Sequence, residues 1–162
     1  MGTACLYSFM PIIDGSSEVL ILGTLPGPES LRLGQYYANP YNQFWAIVHG
    51  VYNETAAPSY AGKVAFLLGH GAALWDVFRS AERIGALDAD IKNGAPNDIP
   101  GLLDAHAGIR KIILNGRTAD KSFNRFYPGL GVEAVYVPSS SAAYAKMPIG
   151  EKIREWKAAL LG

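Results

Sequence analysis

The residues with the greatest potential for chemistry lie in one short stretch of the chain. Residues 34–45 read Gly-Gln-Tyr-Tyr-Ala-Asn-Pro-Tyr-Asn-Gln-Phe-Trp, so aromatic rings stand beside side-chain amides. An aromatic ring can stack on a nucleobase extruded from a duplex, and an amide can both donate a hydrogen bond to a base edge and accept one from it. The alternative is structural: we expect Asn42 to cap a helix, and Phe44 and Trp45 to anchor that helix in the core.

Three loops that follow predicted strands can carry this chemistry. The first begins Gly23-Thr-Leu-Pro-Gly27 and continues to Asn42, the second is Asn115-Gly-Arg-Thr118, and the third is Val137-Pro-Ser-Ser-Ser-Ala142. The two glycines of the first loop free backbone N–H groups to approach a ligand, although such a loop is usually only a tight turn. It matches neither the dinucleotide-binding pattern nor the P-loop, which disfavours nucleotide triphosphate binding.

The elements that must position these loops alternate between strands and helices. We predict strands at 18–23, 111–114 and 132–137, and we expect the ambiguous stretch 72–77 to start as a strand. Helices are predicted at 42–52, 59–68 and 152–161, after an Asn97-Asp98 cap, and after a Thr118 cap. Alternation of this kind implies an α/β fold: a three-layer α/β/α sandwich around a central, mostly parallel four-stranded sheet. Because ligands bind beyond the carboxyl ends of such strands, the three loops are expected to converge.

Length and composition limit the classes of protein that fit. The 162 residues predict a single domain over residues 1–162, and 49% hydrophobic with 17% charged residues predicts a globular chain without a membrane span. Cys5 is the only cysteine, and the three histidines lack metal-ligand spacing, so we expect no metal, no cofactor and a cytoplasmic protein. The net charge is zero, so any contact with nucleic acid must come from a local arrangement.

The order of these segments resembles the uracil-DNA glycosylase superfamily, and within it the hypoxanthine-DNA glycosylase family, sometimes counted as family six. Leu22-Gly-Thr-Leu-Pro-Gly27 is similar to the superfamily's first motif, and Val137-Pro-Ser-Ser-Ser141 resembles its second. Further similar stretches are Gln35–Trp45, Leu74-Trp-Asp-Val77, Asn97-Asp98 and Leu114-Asn-Gly116. The resemblance therefore extends from about Val19 onward and implies the superfamily's fold, activity on DNA that contains a deaminated base, and no cofactor.

Two positions depart from the superfamily pattern. Relatives that act on mismatched uracil or thymine carry a catalytic Asn where this chain has Leu25, and several uracil enzymes carry an Asp nearby. In the second motif those relatives place a His or Asn where this chain has Val137. The resemblance therefore argues against efficient uracil excision, and it moves the catalytic role to the Asn before proline, which is Asn39.

The resemblance also suggests which residues contact the base. Tyr37 is the candidate stacking platform, with Tyr36 as the competing choice, and one of the two is expected to pack inward. We expect Asn39 to orient a water through its carbonyl oxygen, although an Asn before proline is also typical of a turn. Asn115 can pair with O6 and N1–H of hypoxanthine, a pattern that adenine does not offer, unless it only caps a turn.

The remaining candidates surround this centre. Gly23, Thr24 and Leu25 are predicted to line the substrate site. For DNA, the candidates are the hydroxyls and backbone N–H groups of the third loop and a positive charge that follows it, namely Ser139, Ser140, Ser141 and Lys146, with a solvated turn as the alternative. Arg117 and Lys121 can add local positive charge. His70 and Asp76 can line the cleft, but structural roles are expected for both.

The leading hypothesis is a metal-free, monomeric and monofunctional DNA glycosylase that releases hypoxanthine from deoxyinosine in DNA and leaves an abasic site. The second hypothesis is a uracil or mismatched-thymine DNA glycosylase. The third, from a different class, is a non-catalytic binder of damaged DNA or free nucleobases, because Leu25 and Val137 leave two expected catalytic positions inert.

Overall fold

A computed structural model describes residues 3–162 and contains seven strands within that range. In chain order the strands are β1 (Cys5–Tyr7), β2 (Val19–Gly23), β3 (Ala72–Asp76), β4 (Phe78–Glu82), β5 (Lys92–Pro96), β6 (Lys111–Asn115) and β7 (Glu133–Val137). The helices are α1 (Pro28–Leu33), α2 (Phe44–Val51), α3 (Tyr60–Gly69), α4 (Ile99–Ala105), α5 (Arg117–Phe126) and α6 (Ile149–Leu161). A short 3-10 turn covers Asp88–Asp90.

The central sheet has four parallel strands in the order β3-β2-β6-β7. All residues of β2 and β6 are buried, which explains why these strands read as continuous apolar runs rather than as alternating patterns. The strands end level with one another, because Gly23 pairs with Asp76 and Asn115 pairs with Val137. The predicted four-stranded parallel sheet is confirmed, and its carboxyl edge is where the three loops emerge.

Helices cover both faces of this sheet and make the predicted three layers. Alternate residues of a strand point to opposite faces, so Ile21 packs in one apolar cluster and Leu20 in another. The first cluster includes Phe44 from α2 and Trp156 from α6, both fully buried, and the second includes residues of α4 and α5. The expectation that Phe44 and Trp45 anchor a helix in the core is also confirmed.

Two elements were not predicted from the sequence. The first is a three-stranded antiparallel sheet in the order β1-β4-β5, whose β4–β5 pairing is irregular and whose edge strand Lys92–Pro96 is half-exposed or exposed throughout. The second is α1, a six-residue helix that begins at Pro28 inside the first loop. It ends at Leu33 and is capped by Gly34, whose φ of 66° lies in the left-handed region that glycine adopts without strain.

The predicted helix caps have mixed outcomes. Asp98 caps α4 as predicted, since its carboxylate accepts a hydrogen bond from the N–H of Gly101. The cap at Thr118 is wrong, because α5 already begins at Arg117. The cap at Asn42 is also wrong: α2 begins at Phe44, and the Asn42 side chain accepts from the Phe44 N–H in the turn before it. Within residues 3–162, no helix has the length and apolar character needed to cross a membrane.

Candidate active site

A cavity of about 570 Å³ opens at the carboxyl edge of the parallel sheet. This volume is typical of small-ligand sites. The three predicted loops converge on it, through residues that include Gly23–Ser30, Asn115–Thr118 and Ser139–Tyr144. A further wall, which sequence reasoning missed, comes from the segment after β4 and consists of Arg83, Ala86, Leu87 and Asp88.

The cavity floor depends on the absence of a side chain at Gly23. A Cβ atom at this position would lie 2.6 Å from the Tyr37 hydroxyl and 2.7 Å from Oδ1 of Asp76, closer than atoms can approach. Glycine therefore allows a phenol and a carboxyl group to meet over the end of β2. The other predicted residues of this loop also line the cavity: Thr24 donates a hydrogen bond to Asp88 over 2.9 Å, and Leu25 packs against Phe78.

Tyr37 and Tyr36 point in different directions. Tyr37 has a left-handed φ of 53°, which turns its ring onto Phe44 with the ring centres 4.0 Å apart. Phe44 covers one face of the Tyr37 ring, so a flat ligand in the cavity can stack only on the other. Tyr36 is buried, and its hydroxyl donates to the backbone carbonyl of Met10. The expectation that one of the pair packs inward is met by Tyr36, and Tyr37 remains the predicted stacking platform.

Asn115 uses its amide to hold the site together. Its Nδ2 donates to the hydroxyls of Tyr37 and Ser140, each over 3.0 Å, and its Oδ1 accepts from the Ser140 N–H. Both amide hydrogens are therefore in use. The predicted double contact from Asn115 to O6 and N1–H of a purine does not fit this arrangement, because no N–H is left to donate to O6. Asn115 instead fixes the Tyr37 phenol, whose pKa burial raises well above its usual range.

Asn39 lies at the exposed rim of the cavity. Its Oδ1 accepts from the Tyr41 N–H over 2.9 Å, and its backbone carbonyl accepts from the Asn42 N–H, so the turn expected as the alternative role is present. A carbonyl oxygen has two lone pairs, and the second remains for a water. Among residues 3–162 the amide hydrogens of Asn39 meet no acceptor. The turn therefore presents a polar group to the cavity.

The polar groups of the third loop make more hydrogen bonds within the protein than the sequence predicted. Ser140 is buried against Asn115, and its carbonyl accepts from the Gln43 N–H, so the predicted phosphate contact from Ser140 does not fit. Ser139 and Ser141 line the cavity, and their hydroxyl oxygens accept backbone N–H groups while their protons stay available. Lys146 is exposed further along the same loop and does not line the cavity.

The structural role expected for Asp76 does not fit, and the alternative, that this residue lines the cleft, is met. Instead of a structural partner, it has a buried Oδ2 atom with no hydrogen-bond partner among residues 3–162, and its side chain lines the cavity. Burial, and secondly the like charge of Asp88, raise the pKa of Asp76 to about 7, although the guanidinium of Arg83 acts in the opposite direction. The sequence did contain an indication of this position, because Asp76 ends a buried strand at the edge of the sheet where ligands bind.

The other polar groups fall into simpler roles. Arg83 is buried and donates to the backbone carbonyls of Pro26 and Gly85, which ties the new wall to the first loop. Burial lowers the pKa of Arg83. His70 lies outside the cavity and packs on Tyr52, with the ring centres 3.8 Å apart, in keeping with a structural role. Within residues 3–162, no cluster of three or more His, Cys, Asp or Glu side chains is arranged to hold a metal ion.

Comparisons with known proteins agree on one group. Residues 10–160 match the model of the uracil DNA glycosylase superfamily. The chain is 36% identical to a hypoxanthine DNA glycosylase from Methanosarcina acetivorans over 93% of this chain and 94% of that protein. It is 33% identical to a hypoxanthine DNA glycosylase from Methanosarcina barkeri over 83% and 85% of the two chains. A solution NMR structure from M. acetivorans, described as a candidate uracil DNA glycosylase, aligns with a TM-score of 0.85 and 35% identity over 97% of both chains.

Proposed function

The chain belongs to the uracil-DNA glycosylase superfamily, and from that premise we propose that it is a monofunctional DNA glycosylase that removes hypoxanthine from deoxyinosine in DNA. The observation that carries the proposal is the similarity to two hypoxanthine DNA glycosylases over most of each chain. The site supports it, because the two positions at which uracil enzymes of the superfamily carry polar catalytic groups hold Leu25 and Val137, both buried.

The proposed reaction is hydrolysis of the bond between C1′ of deoxyribose and N9 of the base. The base stacks on the free face of Tyr37, and the bond breaks through an oxocarbenium-like state, which demands orientation of a water more than a strong base. Asn39 orients that water through the second lone pair of its Oδ1. The water supplies the hydroxyl that remains on C1′, and its proton balances the departing base, so the product is an abasic site.

Strand cleavage is not part of the proposal. A glycosylase that also cuts the strand uses an amine to form a Schiff base with the sugar. In the described part of the chain no lysine lines the cavity. The hydroxyls of Ser139 and Ser141, together with Lys146, are the proposed contacts to the DNA backbone, and Arg117, which also lines the cavity, adds positive charge. We further propose a cytoplasmic monomer that needs no metal.

A base-excision assay tests the function. The full chain is incubated with duplexes that contain deoxyinosine, uracil, xanthine or a mismatched thymine, in the presence of a chelator, and alkali then reveals abasic sites. We expect the deoxyinosine strand to be cut, and only after alkali. Preferential release of uracil would establish the second hypothesis. Binding of deoxyinosine duplex without any release would establish a non-catalytic binder.

A further inference from the structure

We propose that Asp76 is a catalytic acid that donates its proton to ring nitrogen N7 of the departing purine. The inference rests on the proposed excision of hypoxanthine and adds a second group to the proposed chemistry, beside Asn39. It starts from a carboxyl group that the fold buries in the cavity without giving it a hydrogen-bond partner.

A structural role does not explain why the Asp76 carboxyl group is buried at this position. The residue ends β3 beside the end of β2 and is 4% exposed. Its Oδ1 faces the bare Cα of Gly23, and its Oδ2 has no partner among residues 3–162. A buried carboxyl group that makes no hydrogen bond reduces stability, so a fold has no structural reason to keep it there. A group of this kind that lines a ligand cavity is explained by what it does to the ligand.

The ionisable groups that face Asp76 come from three segments of the chain and include a second carboxyl group. Tyr36 and Tyr37 approach from the loop before α2, Arg83 from the segment after β4, and Asp88 from the 3-10 turn. Burial raises the pKa of Asp88 as well, but the hydrogen bond that its carboxylate accepts from the Thr24 hydroxyl and the charge of Arg83 act in the opposite direction. Asp76 has no such donor, so the proton of the pair belongs on Asp76. Two carboxyls whose surroundings separate their proton affinities are the arrangement that general acid catalysis needs.

The chemistry of the leaving group explains why a proton is required. A departing base that stays unprotonated carries away the electron pair of the C1′–N9 bond as an anion, and Leu25 and Val137 offer no hydrogen bond to such an anion. In the proposed step the O–H bond of Asp76 breaks, and its proton goes to N7. The C1′–N9 electron pair enters the ring, so hypoxanthine leaves as a neutral molecule. The attacking water bonds to C1′ and releases a proton, which restores the neutral acid.

The first test compares the wild type with Asp76→Asn in single turnover on a deoxyinosine duplex. Asparagine keeps the shape and removes the acid, so we expect excision to slow by about 10²-fold to 10⁴-fold. Asp104→Asn is the matched control, because Asp104 is an exposed residue of α4 outside the cavity, and it should excise hypoxanthine at the wild-type rate. Binding of a duplex with an abasic-site analogue checks that Asp76→Asn keeps its fold.

The second test uses a substrate that needs no acid. Deoxyinosine methylated at N7 already carries a positive charge on the purine, so Asp76→Asn should excise it within about threefold of the wild type, after subtraction of spontaneous loss. A loss of similar size on both substrates would overturn the acid role and leave Asp76 as a packing residue. Excision of unmodified hypoxanthine by Asp76→Asn at the wild-type rate would overturn it as well.

A pH profile of the wild type tests the acid role of Asp76 even if Asp76→Asn does not fold. The single-turnover rate should be flat at low pH and fall about tenfold per pH unit above pH 7 or so, as Asp76 loses its proton. A rate that stays constant to about pH 9 contradicts the acid role. If the wild type releases no hypoxanthine at any pH, the proposed function fails and this inference with it. If it releases hypoxanthine but lacks these dependences, only the role of Asp76 fails.

Discussion

The chemistry of this site is carried by residues that differ in how firmly the protein holds them. Tyr37 is fixed by two contacts, the Phe44 ring against one face and the Asn115 amide at its hydroxyl. Asn39 sits on an exposed turn and is fixed only through its carbonyl oxygen. Because a water must be oriented close to C1′ while the base is still bound, the less restrained Asn39 amide is free to adjust when DNA arrives.

Replacement of Asn39 separates its role as a turn residue from its role in catalysis. Asn39→Ala removes the water acceptor and should slow excision of hypoxanthine by about 10²-fold to 10⁴-fold. Asn39→Asp keeps an acceptor for the Tyr41 N–H and for the water, so it should retain much more activity than alanine. Single-turnover excision measures the effect, and affinity for an abasic-site analogue should stay near that of the wild type.

The control for this experiment is Asn124→Ala, an exposed asparagine on α5 that is not part of the cavity. It should leave excision unchanged. If Asn39→Ala excises hypoxanthine as fast as Asn124→Ala, Asn39 has no part in the chemistry, and its side chain serves the turn alone.

At this scale the sequence allowed the residue types of the site to be predicted, but not their hydrogen bonds. Tyr37, Asn39 and Asn115 all line the cavity. The partners of Asn115 lie 78 and 25 residues away, at Tyr37 and Ser140, and no local pattern indicates that an amide is already occupied by such distant groups. Asp76 was misjudged for the same reason, since the lack of a partner becomes visible only when all neighbouring elements are in place.

At the scale of elements, a buried lysine on α6 connects two parts of the site. Lys152 is fully buried, and its Nζ donates to Oε1 of Gln43 over 2.9 Å and lies 3.5 Å from the carbonyl oxygen of Ser141. The same ammonium group lies 5.4 Å from the centre of the Tyr144 ring, and burial lowers its pKa. The C-terminal helix therefore fixes the start of α2 and the third loop at once.

Lys152→Met tests whether this connection supports the site. Methionine fills similar space but leaves the Gln43 amide oxygen without its donor, so the free energy of unfolding should fall by about 1 to 3 kcal/mol. Because the third loop loses its tie to α6, the affinity for substrate DNA should fall more than the rate of the chemical step. Urea unfolding and single-turnover kinetics at varied enzyme concentration measure the two effects.

The same helix provides a matched control in Lys157→Met, because Lys157 is exposed. Its replacement should change stability and activity little. Equal stability and equal DNA affinity in the two variants would show that the contacts of Lys152 contribute nothing beyond its packing.

The elements differ in how well the sequence predicted them, and the difference follows burial. β2 and β6 are buried on both faces, so their apolar runs could arise only from a core element, and both were predicted. β5 and most of its surroundings face water, so hydrophobicity does not repeat along them. α1 spans only six residues, which is too short for a helical pattern to emerge. The wall that carries Arg83 and Asp88 belongs to the part of the chain that pattern reasoning left unassigned.

At the scale of the whole molecule, the site and the stability of the fold make opposing demands. Glycosylases of this proposed type must bury a base, so the groups that touch it lie where water is excluded. Asp76 meets that condition at a cost, because its Oδ2 atom is buried and has no hydrogen-bond donor within residues 3–162. The net charge of the chain is zero, so this local cost is not part of a general repulsion between like charges.

The dependence of stability on pH gives a measure of that cost. The pKa of Asp76 is about 7 in the folded protein, against an ordinary value of 3.8, so the folded state binds this proton more tightly than the unfolded state does. The favourable contribution of the proton is complete below about pH 4 and is lost as pH rises towards 7. Asp76→Asn removes this titration. Relative to the wild type, the variant should therefore gain about 4 kcal/mol at pH 8 and only about 1 kcal/mol at pH 4.5.

Urea unfolding of both proteins at the two pH values measures this difference, and the titrating groups that do not face Asp76 cancel because the two chains share them. Asp104→Asn should show no such pH-dependent gain, since Asp104 is exposed. A gain of equal size at both pH values would mean that asparagine merely packs better than aspartate, and that Asp76 is charged in the folded protein. A pH-dependent gain accompanied by loss of excision would identify Asp76 as a residue kept for function against stability.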